Sequence, residues 1–315
     1  MSRLVNSTIT AVPGVVAGHA SDTANRTGCT VLLGPFRAAI DIRGLATGTR
    51  EIDALSPNHL VHQIDAILLT GGSAPGLAAA DGVVQWLRER GRGFDVGVTR
   101  IPIVPAAVIF DIHTAGQRSP DSALGRAACD AASTEPLRQG SVGAGTGATV
   151  GKVRGPEYSA RGGIGTFAVR HGPYTVGVLA VVNAFGDVLD HDGSILAGAR
   201  ADDGSTIDSM RAALNARGDV DFAITNTTLC AIATDAPLSR VALQTVARMG
   251  SSAIVRRIAP ANTVFDGDLV FAVSTSDHVR EYPPAELLSI GTAAQLALEE
   301  AIVRAVRLDP QPREP

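Results

Sequence analysis

Cysteine is scarce in this 315-residue chain, and the three present, Cys29, Cys129 and Cys230, are an odd number set far apart. That spacing implies neither a disulfide framework nor a zinc cluster, and it fits a reducing compartment such as the cytoplasm. Positive charge is not in excess either, since the net charge is −4. No basic field gathers nucleic acid or anionic lipid, so neither is expected as a partner. Long apolar runs are missing: none approaches the ~18 residues of a membrane span. Met1 to Gly14 holds no continuous apolar stretch of the kind a secretory leader uses, so a soluble, intracellular location is expected. Low-complexity linkers are absent as well, although length alone allows one large core or two smaller ones.

What is present alternates apolar strands with amphipathic helices. The pattern predicts strands over Gly28 to Leu33, Ala38 to Ile42, Ala66 to Thr70, Ile101 to Ile112, Gly165 to Arg170, Tyr174 to Asn183, Val220 to Ile224, Leu229 to Thr234 and Leu269 to Thr275. Many are apolar on both faces and so belong in sheets covered on both sides. Helices are expected over Gly76 to Arg90, Ser122 to Ala132, Ile207 to Arg217, Leu238 to Arg257 and Pro284 to Leu308. The last sets Leu287, Leu288, Ile290, Ala294, Leu298, Ala301, Ile302 and Ala305 along one stripe that should pack on a sheet. His171-Gly172-Pro173 reads as the turn of a long hairpin. Hairpins mixed with helices point to layered α+β rather than a purely parallel doubly wound sheet.

Between Val220 to Ile224 and Leu229 to Ala233 lies a polar break, Thr225-Asn226-Thr227-Thr228. Asn and Thr are ordinary turn residues, and a turn is one reading. N-glycosylation of Asn226 is the second, and an intracellular location removes it. The third is chemical. If the Thr227 hydroxyl adds to the Asn226 carbonyl, the peptide becomes an ester, hydrolyses, and leaves Thr227 as a new N-terminus. That residue then carries a nucleophile and, in its α-amine of pKa about 7.7 to 8.0, a base suited to neutral pH.

Other motifs carry weaker signals. Gly71-Gly72-Ser73-Ala74-Pro75-Gly76 follows a strand and opens a helix, where a nucleophile elbow or a helix cap by Ser73 would sit. Pro75 breaks the Gly-x-Ser-x-Gly pattern, and a serine hydrolase on Ser73 would need one of His113, His171, His191 or His278 besides an acid. Ser141 to Lys152 is glycine-rich, but Thr146 and Val153 stand where a phosphate loop needs Gly and Ser or Thr. Gly143-Ala144-Gly145-Thr146-Gly147-Ala148 fits the loose dinucleotide fingerprint without its strand and helix, so no nucleotide cofactor is inferred. Lys152 ends this loop as its one cation. Asn183, closing an apolar strand, either satisfies a strand end or donates to an oxyanion. Asp266-Gly267-Asp268 reads first as a tight turn, or else as paired carboxylates that repel and raise one another's pKa.

Taken together, these segments resemble the L-aminopeptidase/D-esterase family, which includes β-aminopeptidases and the endo-type nylon-oligomer hydrolase. The resemblance runs from Ile9-Thr10-Ala11-Val12-Pro13-Gly14 through Gly71-Gly72-Ser73, the loop ending at Lys152, Val181-Val182-Asn183, Asn226-Thr227-Thr228-Leu229, Ala233-Thr234-Asp235-Ala236 and Asp266-Gly267-Asp268. It implies a single domain over residues 1–315 built as an αββα sandwich. That domain would cut itself between Asn226 and Thr227 into chains 1–226 and 227–315 and then work as an N-terminal nucleophile hydrolase. By the same resemblance Thr227 is the nucleophile, Lys152 the nearby cation and Asn183 the oxyanion-side amide. Asp266 and Asp268 match the carboxylate pair of the nylon-hydrolase branch, and the aminopeptidase branch uses serine where this chain has Thr227. Phe110 stands where that first branch is expected to carry a tyrosine. The resemblance also implies small peptide or amide substrates, no metal or organic cofactor, and homo-oligomers of four or more subunits.

Overall fold

The computed structural model describes residues 5–215 and 226–307. A nine-stranded mixed sheet dominates it. Its strands are β1 (Val16–Asp22), β2 (Thr27–Ile42), β3 (Thr49–Arg50), β4 (Ile64–Thr70), β5 (Ala106–Val108), β6 (Gly163–His171), β7 (Tyr174–Asn183), β8 (Thr227–Thr234) and β9 (Leu269–Ser274). The path runs β6-β7-β8-β9-β2-β4-β5-β3, and β1 also pairs with β2. The pairs β8–β9 and β4–β5 are parallel.

The path folds into two layers because β2 serves both. Its first half, Cys29 to Leu33, pairs with β4, and its second half, Arg37 to Ile42, pairs with β9. Between them the register to β4 shifts, from Leu33 to Phe36. Sequence patterning reads this stretch as two strands broken at Gly34-Pro35, and the structure carries one strand through the bend. Alternation then decides the faces. Leu179, Val181, Leu229, Ala231, Leu269 and Phe271 of one sheet meet Leu32, Ile67, Leu69 and Ala107 of the other in a core between the sheets. The opposite face of the first sheet, with Val178, Ala180, Cys230, Ile232 and Val270, is covered by two long helices. On the far side of the second sheet, Val31, Ala66 and Leu68 pack under Val83, Leu87 and Ala128. The helices are α1 (Ala79–Glu89) and α2 (Ser122–Asp130) on that far side, α3 (Ser209–Asn215), and α4 (Arg240–Arg257) and α5 (Pro284–Arg307) on the first sheet. The order helix, sheet, sheet, helix is the expected αββα sandwich.

Several local expectations need correction. The strand expected over Ile101 to Ile112 shrinks to Ala106–Val108 with a two-residue piece at Arg100–Ile101, because Pro102 and Pro105 cannot donate to a ladder. Ser73 makes no side-chain cap. It takes φ +53° before a short 3₁₀ turn, Ala74–Ala78, and its N–H donates to the Ile109 carbonyl at 3.0 Å. Leu288 of α5 is exposed, while Ile290, Ala294, Leu298, Ala301, Ile302 and Ala305 are buried as the stripe requires. The strand expected over Val220 to Ile224 lies outside the described residues. All three cysteines are free and buried. Among the described residues no helix is long and apolar enough to cross a membrane, and no group of three or more His, Cys, Asp or Glu side chains is placed to hold a metal ion.

Candidate active site

Register brings the polar strand ends together. Antiparallel pairing of β7 with β8 sets Asn183 directly opposite Thr227. Parallel pairing of β8 with β9 aligns Leu229 with Leu269, and the same offset continues upstream as an isolated parallel bridge between Asn226 and Asp266. Asp266-Gly267-Asp268 is therefore not the tight turn its composition suggests. It is extended backbone lying beside Asn226-Thr227-Thr228, with the turn displaced to Val264 and Phe265. Thr227 and Asn183 share strand parity with Leu229 and Val181, so both side chains face the space between the sheets.

Thr227 is 4% exposed, and its hydroxyl donates to the carbonyl oxygen of Asn226. That same oxygen accepts the Gly267 N–H at 3.2 Å. The Asn226 side chain is also buried, yet neither its Nδ2 nor its Oδ1 has a hydrogen-bond partner among the described residues. Unpaired buried amides cost free energy, on the order of 1 to 3 kcal/mol each, so this residue is held in place against its own preference.

Lys152 reaches the site because Gly151, at φ +71°, lets the chain pass against Gly198 and Ala199; a Cβ there would lie 2.0 Å from the Ala199 nitrogen. The Lys152 ammonium, 4% exposed, donates to Asn183 Oδ1 at 2.8 Å and to the Asn183 carbonyl at 3.0 Å. Burial pulls its pKa down to about 7, against the attraction of Asp266, Asp111 and Asp268. Asn183 is fully buried; its Oδ1 also accepts the Thr149 N–H, and its Nδ2 donates to the Phe110 carbonyl at 2.9 Å. Three of these contacts hold its side-chain amide plane.

The two carboxylates are buried and differently held. Asp266 accepts the N–H and hydroxyl of Thr263 at 2.9 and 2.6 Å, and burial raises its pKa. Asp268 accepts the Thr228 N–H at 2.6 Å and the Asn262 N–H at 3.0 Å. Burial first, and the charge of Asp266 second, push its pKa up to about 7. Burial thus moves Lys152 down and Asp268 up, both toward neutral pH, the direction that favours proton exchange between side chains.

Of the residues singled out from sequence, Thr227, Asn226, Asn183, Lys152, Asp266 and Asp268 converge here. Phe110 joins them through its backbone carbonyl. Ser73 stands on the neighbouring loop, and its hydroxyl makes no hydrogen bond to a histidine or carboxylate among the described residues. Sequence reasoning passed over Asp111, which closes an apolar stretch just as Asn183 does, and that is the signal that would have found it. It is 1% exposed, accepts the Gly72 N–H at 2.6 Å, and burial raises its pKa to about 6.

Asp111 yields a pH prediction. Its folded pKa lies above its unfolded value near 4, so below pH 4 it costs nothing, and between pH 4 and 6 the folded state keeps a proton that the unfolded chain has lost. Stability therefore falls across that window and the penalty is constant above it. Relative to the parent, Asp111→Asn should gain up to about 3 kcal/mol between pH 4 and pH 7. Urea unfolding of both proteins at the two pH values measures this; an offset that does not change with pH would contradict it.

A sequence model of peptidase family S58 matches residues 7–309. The chain belongs to peptidase family S58. It is 40% identical over 320 residues to an uncharacterized aminopeptidase of Mycobacterium tuberculosis, covering 95% of this chain and 89% of that one. It is 35% identical over 275 residues to the 6-aminohexanoate-oligomer endohydrolase of Kocuria sp., covering 84% and 74%. Among solved structures it superposes on a Burkholderia sp. β-aminopeptidase with TM-score 0.71 at 22% identity, covering 96% of this chain and 87% of that one. It also superposes on the L-aminopeptidase D-Ala-esterase/amidase of Ochrobactrum anthropi, described as a variant of the Ntn hydrolase fold, with TM-score 0.73 at 20% identity, covering 95% and 85%. This S58 protein has that fold, and it is a hydrolase acting on amide or peptide bonds.

Proposed function

We propose that this S58 protein is a self-processing N-terminal nucleophile hydrolase that cuts Asn226–Thr227 and then hydrolyses small peptides or related amides through an acyl-enzyme on Thr227. One observation carries the reading: the Thr227 hydroxyl is held on the carbonyl of the peptide bond directly before it, at a buried strand end facing Asn183. A threonine serving only as a strand residue has no need of that contact.

In the mature enzyme the freed α-amine of Thr227 takes the hydroxyl proton as the oxygen attacks the substrate carbonyl. Asn183 and backbone donors hold the oxyanion. Lys152 supplies positive charge behind Asn183, and Asp268 and Asp266 orient the start of β8 through the Thr228 N–H and the loop around Thr263. The proton then passes to the leaving amine, and water hydrolyses the ester. Phe110 leaves the site without the phenol expected from the nylon-hydrolase branch, which shapes substrate choice toward acyl groups that need no hydroxyl partner there. The aminopeptidase and oligomer-hydrolase relatives support short peptides and linear ω-amino-acid amides as the classes to screen. Three buried thiols support a reducing, cytoplasmic setting, and homo-oligomers are proposed from the family resemblance.

The test is a denaturing gel with N-terminal sequencing. Fragments of 226 and 89 residues are expected, the smaller beginning at Thr227. An active preparation running as one band and losing activity on Ser73→Ala would replace this reading with a serine hydrolase on Ser73.

A further inference from the structure

Self-cleavage and substrate hydrolysis each pass through an oxyanion, and the uncut chain shows which donor already faces the first. The Asn226 carbonyl oxygen, where that charge develops, accepts the Gly267 N–H at 3.2 Å. None of the bonds that Asn183 makes among the described residues goes to that oxygen: its Nδ2 donates to the Phe110 carbonyl, and its Oδ1 accepts from Thr149 and Lys152. The Gly267 N–H is held on a pinned segment. The Asp266 carbonyl accepts the Ala46 N–H at 2.9 Å, and the Asp268 carbonyl accepts the N–H groups of Arg43 and Gly44 at 2.9 and 3.0 Å. Residue 267 must also lack a side chain, because a Cβ would lie 2.8 Å from Thr227 Oγ1 and 2.9 Å from the Ala46 carbonyl oxygen.

We propose that the two reactions use different oxyanion donors, the Gly267 N–H for the Asn226–Thr227 bond and the Asn183 amide for substrate. This rests on Thr227 being the nucleophile. In the first step Thr227 Oγ1 bonds to the Asn226 carbonyl carbon, and the carbonyl oxygen takes the negative charge against Gly267. Collapse re-forms the carbonyl, breaks the C–N bond, and delivers the former hydroxyl proton to the Thr227 nitrogen, leaving an ester and a free amine. Water then splits the ester to the Asn226 carboxylic acid and the Thr227 hydroxyl. No other reactant is needed.

The experiment follows appearance of the 226- and 89-residue fragments from freshly translated full-length chain, and then turnover of a peptide amide by each cut protein. Asn183→Ala is expected to cut itself within about threefold of the parent rate yet lose on the order of 10²- to 10³-fold in turnover, the usual effect of removing one oxyanion donor. Gly267→Ala keeps the N–H, but its methyl meets the Ala46 carbonyl oxygen and Thr227 Oγ1 and so pushes the donor away from the Asn226 carbonyl; it should accumulate uncut chain and cut at least about tenfold more slowly. The proposal is overturned if Asn183→Ala slows cutting as much as turnover, or if Gly267→Ala cuts at the parent rate. Should Gly267→Ala fail to fold by circular dichroism, the ratio of the two Asn183→Ala effects decides alone. Both of those overturning results leave the Thr227 reading intact, whereas an active parent that is never cut overturns that reading as well.

Discussion

Thr227→Ala is expected to remain a single 315-residue polypeptide and to turn over no amide substrate. Both acyl transfers proposed here form their new bond at Thr227 Oγ1, and the base for the second is the amine that only the first can release. Removing the hydroxyl therefore stops maturation, and stopping maturation withholds the base. Thr227→Ser keeps the oxygen but loses the methyl that restricts χ1 in a strand. The serine hydroxyl then spends less time on the Asn226 carbonyl, and slower but measurable cutting and turnover should follow. Intact-mass analysis reads the first reaction and release of a chromogenic amine the second. An uncut Thr227→Ala protein that still releases amine would reject the assignment, because no other group in the mechanism supplies a nucleophile.

The layered architecture was legible where local chemistry decides structure. The strand Tyr174–Asn183 is found with the bounds its apolar run predicts, because the His171-Gly172-Pro173 turn fixes one end and Asn183 the other. The helix over Pro284–Arg307 follows its stripe for the same kind of reason. What a single sequence does not carry is the partner of each strand. Asp266-Gly267-Asp268 has the composition of a turn, and only its pairing with a segment forty residues upstream makes it extended backbone. Thr227 and Thr228 look like a break for the same reason: their polarity is local, while the bonds that recruit them into β8 come from Asn183, Gly267 and Asp268, all distant in sequence. Residue types at the site were therefore readable one by one. Their meeting rests on register, which depends on how two sheets share the bent strand β2. β1 shows the converse: Gly18, His19 and Ser21 interrupt any apolar run, and the strand exists because seven of its residues pair with β2.

Lys152→Met, once cut, is expected to turn over substrate on the order of 10²-fold or more slowly, since a charge preorganised in a water-poor site acts far more strongly than in solvent. It should also destabilise the fold at neutral pH. Lys152 is the cation that offsets burial of Asp111, Asp266 and Asp268, and removing one partner from a buried charged group typically costs about 3 to 5 kcal/mol. The sign with pH follows from the carboxylates below about pH 7 and from Lys152 itself above it. There the folded parent has lost a proton that the unfolded chain keeps, and so gains stability relative to the variant as pH rises. Without the cation the carboxylates' folded pKa values rise further above the unfolded values near 4. The added penalty is therefore absent below pH 4, grows as pH rises through the range in which the unfolded chain ionises and the folded chain does not, and is complete above the raised folded values. Thermal melts should show Lys152→Met closest to the parent at pH 4 to 5 and furthest from it at pH 8. This separates packing from chemistry, because at pH 5 the variant is folded and can be compared with the parent under the same protonation of the Thr227 amine. Turnover still depressed at pH 5 means that the ammonium acts on the reacting atoms through Asn183. Turnover restored together with the fold would mean that Lys152 only neutralises the carboxylates around it.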